Sequence, residues 1–482
     1  MSDREIYLLS PRELRPETIA VAFAKTSRSP ESFRVIAAEL SDEKSAQFHE
    51  KWVVGYGHAS VAEHAVLHLA FENVSRLAIE SIESNRLASY TEKSTRYQRW
   101  SPDAFTTPPE LKNHPLRGEF TKVCDLLFQT YADSLAPVRR IIESRTPRRE
   151  TEPEEAWDRR IRSQYVDACR FLLPAAANAN LGMTTNARVL ENMVRKMLSH
   201  ELEEVREIGQ IVKDVARLEI PTLIKYADAS PYLRDTAAAL ETAPFAGGGA
   251  KSSLTPSSDK VDQGQDWCRL LRFDEDGESI VIAAALCRFG KTPFAQMLDH
   301  VKRMPPDERA RATDTLLGRL GEHDMPLREL EFCNYTFEIV MDQGAYAEFK
   351  RHRMMTQTPQ RLSTRIGYAI PRLISEAGLE TRYVSAMDAA AGTFERLSEL
   401  SPAVAQYVVP NGFNRRILAQ FNLREAYHFC QLRAAANAHF SLRRIARRVH
   451  AELTHVHPTL AAFMHVPEQP WQEIERANFS TA

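Results

Sequence analysis

The sequence lacks the marks of membrane, secreted disulfide-rich and zinc-binding proteins. Its six cysteines are widely spaced and form no Cys-x-x-Cys pair, which predicts reduced, mostly buried thiols and no metal site. No apolar run approaches the roughly 18 residues of a membrane span. The first residues, MSDREIYLLSPREL, show no basic segment before an apolar core, so no signal peptide is visible. A cytoplasmic location is expected.

An excess of charge of one sign is also missing. The chain has 62 Lys and Arg against 64 Asp and Glu, a formal net charge of −2. No global field would therefore draw it to nucleic acid or to a membrane, and any anion recognition must be local. With 482 residues, 43% hydrophobic and 26% charged, it has the composition of a globular protein with roughly two to four domains.

One segment divides the chain nearly in half. Residues 241–265, ETAPFAGGGAKSSLTPSSDKVDQGQ, are rich in Gly, Ser and Pro and have almost no apolar periodicity. We predict a flexible linker there. The predicted domains are then an N-terminal one at 1–240 and a C-terminal one at 266–482.

The two halves resemble each other in order. ETIAVAFAKTSR parallels ESIVIAAALCR, and GHASVAEHAVLHLAFENV parallels HDMPLRELEFCNYTFEIV. Later, LLPAAANANLGMTTNARVLENM parallels VVPNGFNRRILAQF. Because the matches keep their order at a long period, they predict a tandem domain duplication.

Each half mixes strand and helix patterns. VLHLAFENV and NYTFEIV alternate with period two, which predicts a strand in each half. ARVLENMVRKMLSHELEEVREIGQIVKDVA and REAYHFCQLRAAANAHFSLRRIARRVHAEL carry apolar residues at helical spacing. The order lacks βαβ regularity, so we predict an α+β fold in which each half is a mostly antiparallel sheet packed with long helices.

The most concentrated positive charge lies in KRHRMMTQTPQRLSTR, residues 350–365, which contains no acid. Arginine suits bidentate binding of phosphate or carboxylate, so this stretch predicts an anion site at a helix end, with a solvated basic surface as the alternative. SNRLASYTEKSTRY, residues 84–97, parallels it, since Ser94 follows Arg86 at the same interval as Arg361 follows Arg353. Hydroxyl and guanidinium groups in one loop can form an anion cradle.

Two other basic patterns favour plainer interpretations. His450, His455 and His457 lack the spacing of two metal ligands on one helix face. The arginines within 443–448 are more simply a solvated or acid-paired helix face than a nucleic-acid surface. Neither metal nor nucleic acid is an expected partner.

Taken together, the motifs resemble those of flavin-dependent thymidylate synthases (ThyX), whose signature is Arg-His-Arg, seven residues, then Ser, continuing as Ser-x-Arg-Tyr. Similar elements are Glu63-His64 before a strand, Leu173-Pro174, Asn186-Ala187-Arg188, and Asn422-Leu423-Arg424 with His428. The resemblance covers most of both halves.

The resemblance implies site residues in both halves. Those implied to be catalytic are Arg424, Ser94 and Arg96. Those implied to bind cofactor are His64, Arg351, His352, Arg353, Asn186, Arg188, Asn192 and His428. Those implied to bind the substrate nucleotide are Arg86, Glu92, Ser94, Arg96, Arg170 and Arg424.

Each half departs from the family pattern. The first has Ser84-Asn85 before Arg86, so it loses two residues of the triplet. The second has Arg361 for the motif serine, Leu330 for the Glu-His histidine and Gln406 where Arg170 stands. Its Asn414, Arg416 and Gln420 partly match the Asn-Ala-Arg region, which predicts a one-residue deletion before Arg424.

These losses are complementary. We hypothesise a composite site in which the first copy's nucleotide residues meet Arg424, while residues 351–353 face flavin with His64, Arg188 and Asn192. Since ThyX enzymes are homotetramers, the resemblance implies a homodimer of this chain that reproduces the four-unit assembly.

The implied activity is reductive methylation of dUMP to dTMP with methylenetetrahydrofolate, FAD and NADPH. The cofactors would carry the chemistry, and the protein would bind, orient and polarise. Two alternatives stay open: a flavoenzyme of this type that methylates another pyrimidine nucleotide, and a non-catalytic nucleotide- or flavin-binding protein.

Overall fold

The computed structural model describes residues 5–242 and 267–480; the predicted linker falls outside them from residue 243 to 265. Helices and strands are interspersed, and every strand pairing within each sheet is antiparallel, which confirms the predicted α+β class. In residues 5–242 the elements are α1 (Pro16–Lys25), α2 (Phe33–Ala38), α3 (Asp42–Phe48), β1 (Val66–Ser75), α4 (Arg76–Glu83), β2 (Ala88–Glu92), α5 (Arg117–Arg145), α6 (Glu154–Cys169), β3 (Asn178–Asn186), α7 (Ala187–Leu198), α8 (Glu203–Ala216) and α9 (Pro231–Thr242).

Residues 267–480 repeat much of this order. The elements are β4 (Cys268–Phe273), α10 (Gly277–Phe289), α11 (Phe294–Arg303), α12 (Pro306–Leu317), β5 (Asn334–Asp342), α13 (Gln343–Phe349), β6 (Thr356–Pro359), α14 (Arg372–Glu376), α15 (Glu380–Leu400), α16 (Pro402–Ala405), β7 (Asn414–Asn422), α17 (Leu423–Ala434), α18 (Phe440–Val456), α19 (Pro458–Ala461) and α20 (Trp471–Asn478). Short 3₁₀ turns precede β1 and β5, at Ala59–His64 and Arg328–Phe332.

The chain forms two compact units that do not coincide with its two sequence halves. Unit 1 contains the described residues of 1–94, 104–118 and 176–255. Unit 2 contains those of 95–103, 119–175 and 256–482. Most of α5 and all of α6, which come from the first half of the sequence, therefore belong to unit 2.

Unit 1 is built on a three-stranded sheet in the order β1-β3-β2. Val66 of β1 lies opposite Asn186 of β3, and Ala88 of β2 opposite Thr185. Along β3, Leu181 and Met183 are buried while the alternating residues Asn180 and Gly182 are exposed, so one face of the sheet belongs to the core.

Unit 2 contains a four-stranded sheet in the order β4-β5-β7-β6. Asn334 of β5 lies opposite Asn422 of β7. Phe337 and Phe421 stack with ring centroids 5.5 Å apart and belong to the buried core that α17 and α18 also line. The prediction that NYTFEIV is a strand is confirmed, as it is for VLHLAFENV in β1.

The shared order of β1-β3-β2 and β5-β7-β6 supports two tandem domains of one architecture, with β4 added at one edge. The helix caps repeat as well. Ser75 accepts a hydrogen bond from Ala78 at the start of α4, and Asp342 accepts one from Ala345 at the start of α13. A side-chain oxygen at the strand end satisfies a first-turn amide in both copies.

The same two capping residues show a polar exchange between the copies. In unit 1 the Ser75 hydroxyl donates to Glu204 of α8 at 2.6 Å. In unit 2 the hydroxyl belongs to Ser441 of α18, which donates to the Asp342 carboxylate. Donor and acceptor have changed places between strand end and helix, while the buried hydrogen bond is kept.

The strand register corrects the predicted alignment of the copies. Asn186 and Asn422 end equivalent strands and cap the next helix, accepting from Val189 at 3.0 Å and Glu425 at 2.9 Å. The counterpart of Asn186 is therefore Asn422, and the partial match to Asn414, Arg416 and Gln420 was wrong. The same number of residues separates Pro174 from Asn186 and Pro410 from Asn422, so the predicted deletion does not exist.

The same register makes Phe332, and not Leu330, the counterpart of His64, because each of the two lies two residues before the equivalent strand. Leu330 is buried in the core of unit 2, whereas Phe332 is 59% exposed. The second copy therefore carries a phenyl ring where the first carries an imidazole.

Two segments predicted as single long helices are each broken. The segment at 187–216 divides into α7 and α8. The Ser199 hydroxyl donates to the Arg195 carbonyl at the end of α7. Arg206 of α8 donates to the carbonyls of His200 and Glu201, which lie between the two helices. The other divides into α17 and α18: Ala435 is extended, and the carbonyl of Asn437 accepts from Arg96 at 3.0 Å. Tertiary contacts override the helix propensity of AAANA there.

Five of the six cysteines are buried and Cys287 is half-buried, in agreement with the prediction of buried thiols. None of the described helices has both the length and the apolar content needed to cross a bilayer.

Candidate functional site

Several predicted residues of the first copy lie around the sheet of unit 1. Arg86 is exposed in the turn between α4 and β2. Glu92, at the end of β2, accepts from Arg76 at 2.8 Å, and its side chain is only 1% exposed. Ser94 is half-buried two residues later. Asn192 is exposed on α7.

His64 lies in a cleft that we call the aromatic cleft, lined by Phe23, Arg28, Trp52, His58 and His64 among others. Its volume is ≈600 Å³. The His64 and Phe23 rings lie 5.0 Å apart. The Arg28 guanidinium lies over Trp52 at 4.5 Å from the ring centroid. Flat rings together with a guanidinium suit a planar aromatic ligand that carries negative charge.

A smaller cleft of ≈300 Å³ brings together two other predicted residues. Arg86 and Asn186 line it with Glu63, Ser89 and Thr184. We call it the strand-edge cleft, since it lies at the edge of the sheet where β2 begins and β3 ends. Its lining offers one cation, one carboxylate, one amide and three hydroxyls, which can bind a polar group that both donates and accepts hydrogen bonds.

An ion pair recurs beside equivalent helices of the two copies. Arg188, near the start of α7, pairs with Glu63 just before β1. Arg424, at the same place in α17, donates to Glu331 at 2.9 Å. A further bond from Arg424 to the Pro326 carbonyl, at 2.8 Å, fixes this guanidinium more firmly than that of Arg188.

The Arg-His-Arg triplet follows directly after α13, as predicted. Arg351 is exposed and Arg353 half-buried, but His352 between them is 3% exposed. The His352 ring is held by α17: Nδ1 lies 3.0 Å from Glu425 Oε1, and Nε2 lies 3.0 Å from Arg433 Nε.

These contacts define the protonation of His352. Arginine only donates, so Nε2 must be the acceptor and Nδ1 carries the proton that Glu425 accepts. Burial, with the charges of Arg433 and His428, places the pKa of His352 well below its usual value. Burial likewise raises the pKa of Glu425. His352 is a neutral ring that ties the triplet to α17.

His428, also predicted to bind cofactor, lies next to this ring. Its centroid is 5.4 Å from that of His352. Phe429 contacts His352 from another side, edge to face at 4.9 Å. The structure thus brings two predicted cofactor residues, His352 after α13 and His428 of α17, into one group of rings with Phe429.

Arg96 and Arg170, predicted to bind the nucleotide, meet in unit 2 in what we call the arginine cluster: Arg96, Asp167, Arg170, Glu348 and Arg433. Arg96 donates to Asp167 through Nε at 2.9 Å and Nη2 at 2.8 Å, a two-pronged bond. Arg170 is 2% exposed.

Glu348 of α13 is the centre of the cluster. Arg170 Nη2 donates to one carboxylate oxygen at 3.1 Å and Arg433 Nη1 to the other at 3.3 Å. Arg170 Nη1 donates to the Thr95 hydroxyl at 2.8 Å. The cluster therefore joins first-copy residues to second-copy residues within unit 2.

The electrostatics of the two cluster carboxylates differ. Burial would raise the pKa of Glu348, but the charges of Arg170, Arg96 and Arg433 outweigh it and the pKa is lowered. For Asp167, burial prevails over its arginines and the pKa is raised. Glu348 is thus the carboxylate that the arginines hold most firmly in its charged form.

Sequence reasoning did not single out Glu348, Glu425, Arg433 or Asp167. For the α17 pair a signal exists, because Glu425, Phe429 and Arg433 recur every four residues and so share one helix face. Glu348 lies three residues before the triplet, yet only the folded chain reveals its partners.

The comparison with protein families matches this geometry. The family model described as thymidylate synthase complementing protein matches residues 10–222 and 269–459. The chain belongs to this family. The two matched stretches correspond to the two copies of the repeat, so the family's architecture is present twice.

Individual relatives match either most of the chain or a stretch of about half its length. A UPF0159 protein of Chlamydia muridarum is 29% identical over 438 residues, covering 88% of this chain and 82% of the relative. One of Thermoplasma acidophilum is 27% identical over 466 residues, covering 88% and 89%. A flavin-dependent thymidylate synthase of Clostridium tetani is 27% identical over 219 residues, covering 45% of this chain and 83% of the relative. The last is similar to a stretch about one copy long.

Proposed function

We propose that the chain is a flavin-dependent pyrimidine methylase that converts dUMP to dTMP with methylenetetrahydrofolate, FAD and NADPH. The observation that carries the proposal is the aromatic cleft, where exposed His64 lies among flat rings and basic groups. Its ≈600 Å³ falls in the size range of small-molecule and cofactor sites. Membership of the family and the similarity to flavin-dependent thymidylate synthases support the same assignment.

The lining of the aromatic cleft fits a flavin. Phe23 and Trp52 offer ring faces, His64 offers an imidazole edge and Arg28 a cation. Bound FAD would supply hydride chemistry. The protein's part is to hold the planar ring, to keep water from it and to balance its charge.

The proposed nucleotide residues act by orientation and charge. Arg86 in the strand-edge cleft would bind an anionic or carbonyl group, and Glu92 would hold Arg76 in place through their 2.8 Å bond. Arg424, fixed by Glu331 and Pro326, is the proposed catalytic cation; a preorganised donor stabilises negative charge that develops on a pyrimidine ring. Ser94 and Arg96 also remain proposed catalytic residues.

A second candidate is the methylation of another pyrimidine. It is favoured by one observation: Arg170, expected to contact a nucleotide, already pairs with Glu348. A guanidinium occupied by an internal carboxylate has fewer donors left for a ligand phosphate. In both candidates, assembly of two chains into a pseudo-tetramer belongs to the proposal.

The test is an anaerobic assay of the purified chain with FAD, NADPH, methylenetetrahydrofolate and dUMP, in which dTMP is followed by mass spectrometry. Arg353→Ala is the loss-of-function variant, and Arg303→Ala, at an exposed position at the end of α11, is its matched control. Turnover that Arg353→Ala alone abolishes supports the proposal. Bound flavin without dTMP favours the second candidate. Absence of both overturns the proposal in favour of a non-catalytic binding protein.

A further inference from the structure

The arginine cluster contains its own anion. Each oxygen of the Glu348 carboxylate accepts from a different arginine, Arg170 at 3.1 Å and Arg433 at 3.3 Å. The Glu348 side chain is only 8% exposed. These charge-assisted bonds therefore form away from bulk water, where they are strongest.

The second carboxylate is also committed. Asp167, with a side chain 6% exposed, accepts three hydrogen bonds from Nε and Nη2 of Arg96 and lies 3.8 Å from Arg170 Nε. Three guanidiniums thus face two internal carboxylates. Both anions that these arginines bind are therefore side chains of the protein itself.

A ligand phosphate would need the same donors. Arginine presents a rigid fork that matches carboxylate and phosphate equally well, so Glu348 occupies the place of such a group. A phosphate dianion that entered beside Glu348 would meet a buried negative charge and few unused donors. The ion pairs of Glu348 with Arg170 and Arg433 therefore disfavour the binding of phosphate at this position.

We propose that Glu348 is a specificity-determining residue, which supplies from within the chain the anion that the arginine cluster would otherwise take from a ligand. A phosphate monoester then adds little to binding there. If the proposed pyrimidine methylase function holds, on which this substrate class rests, the chain binds an uncharged pyrimidine nucleoside about as well as its monophosphate.

The test uses inorganic phosphate as probe, titrated calorimetrically into the full chain and into Glu348→Gln. The wild type is expected to show no saturable binding. Glu348→Gln, which keeps the side-chain shape but removes the charge, is expected to bind phosphate at least roughly tenfold more tightly. Glu376→Gln is the matched control, because Glu376 pairs with Arg145 at an exposed site of the same unit.

Two results overturn the inference: saturable binding in the wild type as tight as in Glu348→Gln, or no gain in the variant. Glu348→Gln leaves two arginines without their carboxylate, so its stability is measured as well, and phosphate is expected to raise its Tm. If the variant does not fold, the wild-type titration decides: tight binding contradicts the inference and its absence supports it.

A second measurement separates this inference from the proposed function. Binding of dUMP and of deoxyuridine to the wild type is compared in the absence of flavin, with affinities within roughly threefold expected. A more than tenfold preference for dUMP overturns the role of Glu348 even if the enzyme is active. Failure of flavin binding or of methylation refutes the proposed function and leaves the phosphate result unchanged.

Discussion

Arg170 donates a 3.1 Å hydrogen bond to Glu348, although the two residues come from different copies of the repeat. Both side chains are almost fully buried, at 2% and 8% exposure. The bond fixes the 3₁₀ turn that begins at Arg170 to the helix that ends just before the Arg-His-Arg triplet. Stability and the candidate site therefore depend on the same contact.

Arg170→Gln tests this dependence. Removing one partner of a buried pair leaves the other charge uncompensated, so we expect a loss of about 3 kcal/mol in the free energy of unfolding. Urea denaturation gives the value. Arg145→Gln is the control, because its pair with Glu376 is 53% and 33% exposed and should contribute less than ~1 kcal/mol. Equal losses in the two variants would contradict the prediction.

The buried histidines predict sensitivity to acid. Burial lowers the pKa of His352 and of His439 below the usual 6.5, with Arg433 and Arg170 adding to the effect. The unfolded chain binds protons at these imidazoles more readily than the folded one. Their contribution to stability is therefore complete above pH 6.5 and is lost as the pH falls from there towards the lowered values.

The measurement compares the free energy of unfolding at about pH 7.5 and about pH 5.5. Each imidazole can contribute up to about 1.4 kcal/mol per pH unit within its window. His439→Gln, which cannot titrate, is expected to show a smaller loss on acidification. His300→Gln, at an exposed position on α11, should keep the full loss. Identical slopes for all three proteins would refute the assignment.

A third prediction concerns the aromatic cleft. His64→Ala should weaken flavin binding roughly tenfold, because one ring contact and one polar contact disappear. Since His64 is exposed, the fold should be unaffected. Retention of visible flavin absorbance after gel filtration is the readout, and His300→Ala is the control. Unchanged affinity would place the flavin elsewhere.

A fourth prediction concerns Arg424. Arg424→Lys keeps the charge but loses the planar fork that contacts Glu331 and the Pro326 carbonyl. We expect a roughly 100-fold fall in kcat, as for loss of a preorganised donor. Stability should fall by no more than about 1 kcal/mol, since the side chain is 26% exposed. Arg303→Lys is the control, and a loss of stability that parallels the loss of rate would make Arg424 a structural residue.

The strands were predictable because their signal is local. The alternation in β1 and β5 is carried by consecutive residues, and one face of each sheet must be buried. The position of the triplet after a helix was predictable for the same reason. The duplication was visible because ordered matches survive divergence.

The errors and omissions come from contacts distant in sequence. His352 is buried because Glu425 and Arg433 close over it, more than seventy residues later. The break between α17 and α18 depends on Arg96, from the other half of the chain. The register of the second copy needed Asn422 as a helix cap, which three-residue motif matching could not distinguish from Asn414.

The assignment of α5 and α6 to unit 2 has a consequence for how such a chain evolves. A cut at the predicted linker would leave residues 267–480 without Phe171, whose ring stacks on Phe440 at 5.8 Å. It would also remove the backbone bond from Ala175 to the Val409 carbonyl. A gene split there would divide the residues of unit 2 between two products, neither of which could complete the core of unit 2, so the fusion is hard to reverse. Once joined in this way, each copy is free to lose residues that the other retains.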